Sequence, residues 1–146
     1  MDLRSGARLM ATARRGDGAY VNGERVRLAP MAPSGTPRVT TSLTSGGEAR
    51  RRQLDRLTRA GIRTRTCTAV GVPYPQLARG EPDGLVCTWE APWDHAAGVL
   101  LVGEAGGTNP TPTGAPFQIS GGNALPFATA RDDTTARRLI ALLAEE

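Results

Sequence analysis

The chain has 146 residues, 39% of them hydrophobic and 22% charged, with 18 glycines and 11 prolines. That length suits one domain with a real core, and the composition is too apolar for a disordered tail and too rich in helix breakers for a helical bundle, which leaves a loop-rich α/β or α+β globule. Its 18 basic residues are all arginine and exceed the acidic ones by four, but with two each of Trp, Tyr and Phe there is little to stack on bases, so Arg14-Arg15, Arg50-Arg51-Arg52 and Arg137-Arg138 read as solvated faces and not as a nucleic-acid surface.

No apolar run reaches the roughly 20 residues needed to cross a bilayer, and Met1 to Met10 carries arginines with no apolar stretch behind them. A cytoplasmic protein without a membrane partner is expected. Cys67 and Cys87 are too few and too far apart for a paired-cysteine metal or redox site and read as ordinary, partly buried thiols. The single histidine, His95, excludes a multi-histidine metal cluster.

In chain order, Ala7 to Ala13 and Ala19 to Val21 are expected as paired strands about a turn at Arg15-Gly16-Asp17-Gly18. Asn22-Gly23, suited to a type I′ turn, returns the chain through Glu24 to Leu28 as a β-meander. Pro30, Pro33, Gly35 and Pro37 make a linker into a strand at Arg38 to Leu43. A helix starting at Ser45 or Gly46 runs over Gly47 to Ala60, with Ala49, Leu54, Leu57 and Ala60 on its apolar side. Ile62 to Thr66 is a strand, Val70 to Ala78 a helix spoiled by Pro73 and Pro75, Glu81 to Gly84 a turn, and Leu85 to Trp89 a strand. Pro92 precedes a helix over Trp93 to Ala105, stopped by Gly106-Gly107. A strand around Pro126 to Ala130 and a helix opened by Asp132 or Asp133, with Leu139, Ile140, Leu142 and Leu143 as its apolar side, complete the chain.

The segment Trp93-Asp94-His95-Ala96-Ala97-Gly98 through Glu104-Ala105-Gly106-Gly107 concentrates the chemistry. Asp94 falls in the first helical turn, where free backbone N–H groups and the positive end of the helix dipole favour a carboxylate. Ala96, Ala97 and Gly98 are small enough to admit a neighbouring backbone or a ligand. On these grounds alone Asp94 reads as a helix-start residue and the small residues as packing.

The same segment resembles the W-D-x-A-A-G-x-x-L-x-x-E-A-G-G signature of the inositol monophosphatase family at every specified position. Thr12 to Gly23 resembles the family's A-R-x-G-x-G-A-x-x-N-G hairpin. Arg65 and the Gly80 to Gly84 turn stand at the family's spacing before the Trp-Asp pair, and Gly114-Ala115-Pro116-Phe117 resembles its G-x-P-F turn. The resemblance implies an α/β, layered α-β-α-β sugar-phosphatase fold with an incomplete first sheet, in which residues 1–30 are a meander remnant of that sheet and residues 31–146 a phosphatase-like domain.

It also implies a Mg²⁺-dependent phosphomonoesterase acting on a small phosphorylated polyol or sugar, with Asp94 as a metal ligand and the backbone near Val70, five residues after Arg65, touching substrate. The position six before Asp94, where family members often place a substrate-binding glutamate, is Thr88, so Glu90 or Trp89 is left to contribute. Two metal ions need several oxygen ligands. The family's other ligands, in G-E-E and D-P-x-D-G-[ST] segments, do not occur here. Glu81-Pro82-Asp83-Gly84-Leu85, with its acids two apart and no hydroxyl residue, reads as an ordinary turn. The expectation is a truncated chain, inactive by itself, whose meander exposes an edge and an apolar face. The alternative is a non-catalytic remnant that forms a homo-oligomer or complements a missing N-terminal half.

Overall fold

The protein is described by a computed structural model that covers residues 8–42 and 47–144. Its elements are β1 (Ala11–Arg14), β2 (Gly18–Val21), β3 (Glu24–Val26), β4 (Arg38–Ser42), α1 (Gly47–Arg59), β5 (Arg63–Thr66), α2 (Pro73–Ala78), β6 (Gly84–Cys87), α3 (Pro92–Glu104), β7 (Phe127–Ala130) and α4 (Asp133–Ala144). The start of the first expected strand at Ala7, the end of the fourth at Leu43 and the helix start at Ser45 or Gly46 lie outside the described residues.

Two sheets form. β1-β2-β3 is an antiparallel meander, and β5-β4-β6-β7 is mixed, with β4 parallel to both β5 and β6 and β7 antiparallel to β6. Strand alternation divides the mixed sheet's side chains between two cores. Val39, Val86, Ala128 and Ala130 face Leu57 of α1 and Leu139, Ile140 and Leu143 of α4. Leu85, Cys87 and Phe127 face Tyr74 and Leu77 of α2 and Val102 of α3. On the far side of α2 and α3, Ala78, Leu101 and Ala105 pack against Ala19 and Val21 of the meander. The layers therefore run α, β, α, β, and the middle helix layer is covered on both sides, which is why α3 carries little polarity along its length.

Three local expectations are corrected. Pro73 and Pro75 open α2 and do not spoil it: they fall in the first turn, where a missing N–H costs no helical hydrogen bond. β6 stops at Cys87, so Thr88 and Trp89 lie beyond the ladder. Ala49 is exposed, leaving Leu54, Leu57 and Ala60 as the packed side of α1.

The signature glycines have packing reasons. A Cβ on Gly98 would stand 2.1 Å from the Tyr74 ring, and one on Gly107 would stand 2.6 Å from the Ala130 carbonyl oxygen. Asp83, at the turn before β6, is buried and accepts the Arg38 backbone N–H at 2.8 Å while pairing with Arg131 at 3.1 Å. It therefore ties β4 to the end of β7, in keeping with an ordinary turn.

Candidate functional site

The chain leaves β4 to form β5 on one side and then crosses to form β6 on the other. In an open α/β sheet such a reversal leaves a crevice at the carboxyl ends of the strands, where the connecting segments part. A cleft of about 460 Å³ lies there, lined by Ser42 at the end of β4, Cys67, Thr68, Ala69 and Val70 after β5, Trp89 after β6, and Asp94 in the first turn of α3.

Of the residues expected to form a site, the fold brings Asp94 and Val70 into this one cleft, with Trp89 between β6 and α3. Val70 is buried, and the segment carrying it is fixed at one end by the Cys67 N–H donating to the Thr41 carbonyl at 3.1 Å. Thr88 is half-buried and does not line the cleft. Glu90 instead holds the loop at Gly122-Asn123. Its Oε2 accepts the backbone N–H and the side-chain N–H of Asn123, both at 2.8 Å, and its Oε1 the Gly122 N–H at 3.3 Å. Those bonds, the Asn123 backbone first, hold its carboxyl below the usual carboxylate value.

Asp94 is set by α3. Pro92 takes the first helical position, and no side chain caps the helix at Ala91, so Asp94 is the acid in that turn and complements the helix dipole. Its Oδ2 accepts the Trp89 indole N–H at 2.9 Å. The sequence carries no direct sign of this bond, because it depends on the turn at Ala91-Pro92 that folds Trp89 back over the helix start.

His95, the next residue, is fully buried. Its ring lies 5.3 Å from that of Trp89, 5.7 Å from Phe117 and 5.0 Å from Phe127, and its Nδ1 is hydrogen-bonded to the Tyr74 hydroxyl at 2.9 Å. Burial lowers the imidazole pKa against the opposing pull of the Asp94 carboxylate, and burial also pushes the Tyr74 and Cys87 pKa values up. All three groups are thus held uncharged behind the cleft wall.

Among the described residues Asp94 is the one carboxylate lining the cleft, and no three His, Cys, Asp or Glu side chains converge where a metal could sit. A magnesium ion takes six oxygen ligands and a pair of ions needs several carboxylates. The described residues therefore do not by themselves fit a magnesium pair. What the cleft offers is one acceptor carboxylate, the hydroxyls of Ser42 and Thr68, and an aromatic wall.

Residues 7–145 match the model of the inositol monophosphatase family. The chain is 35% identical over 109 residues to a fructose-1,6-bisphosphatase/inositol-1-monophosphatase of Thermococcus kodakarensis, a match covering 73% of this chain and 40% of that one. It is 30% identical over 107 residues to an inositol-1-monophosphatase of Bacillus subtilis, covering 70% and 40%. Its fold is that of the extragenic suppressor protein SuhB from Bartonella henselae, with a TM-score of 0.79, 24% identity and coverage of 94% of this chain and 52% of the other. The chain spans about 40% of the length of these curated relatives.

Proposed function

We propose, from the premise that this chain belongs to the inositol monophosphatase family, that it supplies one wall of a Mg²⁺-dependent phosphomonoesterase site for a small inositol or sugar phosphate, and that these 146 residues by themselves are inactive. The observation that carries this reading is the convergence of Asp94, Trp89 and the Cys67–Val70 segment on one cleft at the switch point of the sheet. The carboxylate accepts hydrogen bonds from substrate hydroxyls, and the Trp89 N–H keeps it from turning away. The segment at Val70 forms the facing wall. The further acids that magnesium requires are those of the family's G-E-E and D-P-x-D-G-[ST] segments, which these 146 residues do not include. In this reading residues 1–30 are the remnant of the first sheet, residues 31–146 carry the phosphatase-like layers, and the protein works in the cytoplasm.

Magnesium calorimetry tests this. The chain alone should show no sub-millimolar binding, a mixture with an acid-bearing polypeptide that carries those segments should show it, and Asp94→Asn should remove it from the mixture. Sub-millimolar binding by the chain alone, or a mixture indifferent to Asp94→Asn, would overturn the proposal.

A second reading is a non-catalytic chain that self-associates. It is favoured by the groove of about 740 Å³ beside α3, whose lining includes Ala96, Ala97, Leu100 and the exposed Ile119, and by Trp93, which is 85% exposed. Sedimentation of the purified chain separates the two: a stable dimer that the acid-bearing polypeptide does not dissociate favours the second.

A further inference from the structure

We infer that Trp89 is a specificity-determining residue of the cleft, its indole serving as the platform for the C–H face of a ring-shaped polyol, so that the site selects cyclic over linear polyol phosphates. The inference rests on the reading of the cleft as a polyol site and adds to it the residue that chooses among polyols.

Three observations carry it. The first is that the indole is pinned. Its N–H is committed to Asp94 at 2.9 Å, and its ring lies against His95 at 5.3 Å and 49°. His95 is itself held by Tyr74, Phe117 and Phe127. An aromatic wall that is already immobile loses little conformational entropy when a ligand stacks on it.

The second is the composition of the cleft. Among the described residues, its seven lining residues are one carboxylate, two hydroxyls, a thiol, two small or branched apolar side chains and the indole, with no arginine and no histidine. The part of a ligand held here is therefore uncharged, with hydroxyls to offer Asp94, Ser42 and Thr68 and a nonpolar face to offer Trp89. A cyclic polyol has both, hydroxyls around its rim and C–H groups on its face. Glycerol has the hydroxyls and no flat face.

The third is that the neighbouring candidates are out of reach. Glu90 is engaged by Gly122 and Asn123, and Thr88 does not line the cleft. On the strip between β6 and α3, discrimination falls to Trp89.

The test uses the full chain carrying Trp93→Phe, which leaves Trp89 as its one indole, titrated with myo-inositol and with glycerol. Saturation transfer from the indole protons should reach the inositol C–H protons and exceed that to glycerol. By calorimetry the preference for inositol should fall about three- to tenfold in Trp89→Leu and persist in Trp89→Phe, which keeps an aromatic face and loses the N–H. Equal transfer to both polyols, or a preference unchanged in Trp89→Leu, overturns the role of Trp89 while leaving the cleft a polyol site. Failure of myo-inositol to bind overturns both this inference and the polyol reading beneath it.

Discussion

Glu104 accepts the backbone N–H of Gly18 at 3.0 Å across 86 positions of sequence, and its other carboxylate oxygen accepts that of Gly16 at 2.9 Å. Two stretches of the family resemblance, the hairpin glycines and the glutamate of the E-A-G-G segment, are thus halves of one contact that clamps the meander onto the end of α3. The two amides, Gly16 first, hold the Glu104 carboxyl below its ordinary value.

Stability should consequently fall in acid. Glu104, Glu90 and Asp132 all have lowered pKa values. For Asp132 burial pulls upward but is outweighed by the amides of Met31 and Thr135. A carboxylate with a lowered folded value binds fewer protons folded than unfolded, so its contribution is complete above the ordinary 4.5 of Glu and 3.8 of Asp and is lost as pH drops through the lowered values. Urea midpoints measured from pH 7 to pH 3 should decline below about 4.5, and Glu104→Gln should flatten that decline. An unchanged slope in Glu104→Gln would show that the clamp is not the source.

Gly98→Ala should destabilise the chain by about 1 to 3 kcal/mol, the usual cost of overpacking a filled core, because the new methyl would enter the Tyr74 ring. The same push should strain the Tyr74–His95 hydrogen bond. Chemical denaturation gives the first quantity and the His95 ring resonances report the second. A neutral Gly98→Ala would mean that α2 yields more easily than its buried packing suggests.

Asp83→Ala should cost about 3 kcal/mol, since it strands the partly buried Arg131 and removes the acceptor for the Arg38 amide. A loss under about 1 kcal/mol in urea denaturation, the range of an exposed pair, would place Asp83 among ordinary surface acids.

Much of the fold is legible in the sequence because its signals are local. Breakers mark the turns, Asn22-Gly23 makes its hairpin, and the apolar sides of α1 and α4 follow helical spacing. α2 is harder, since proline is a breaker inside a helix and a starter at its first turn, and sequence does not say which turn a proline occupies. The family resemblance singles out both Asp94 and Val70, and both line the cleft. The partners that give the site its character are not legible. Trp89 reaches Asp94 only after the chain bends at Pro92, and Glu90 meets Asn123 33 residues away. His95 is enclosed by rings from four separate segments. Contacts of that kind depend on the assembled layers and leave no periodic trace.

The role of this chain as one wall of a shared site is tested most directly by Mg²⁺-dependent release of phosphate from inositol 1-phosphate, with this chain mixed with a polypeptide carrying the family's remaining acidic segments. Release is expected from the mixture and from neither component alone, with a fall of about a hundredfold or more in Asp94→Asn. Hydrolysis by this chain unaided, or a mixture in which Asp94→Asn turns over as fast as the unaltered chain, would contradict that role.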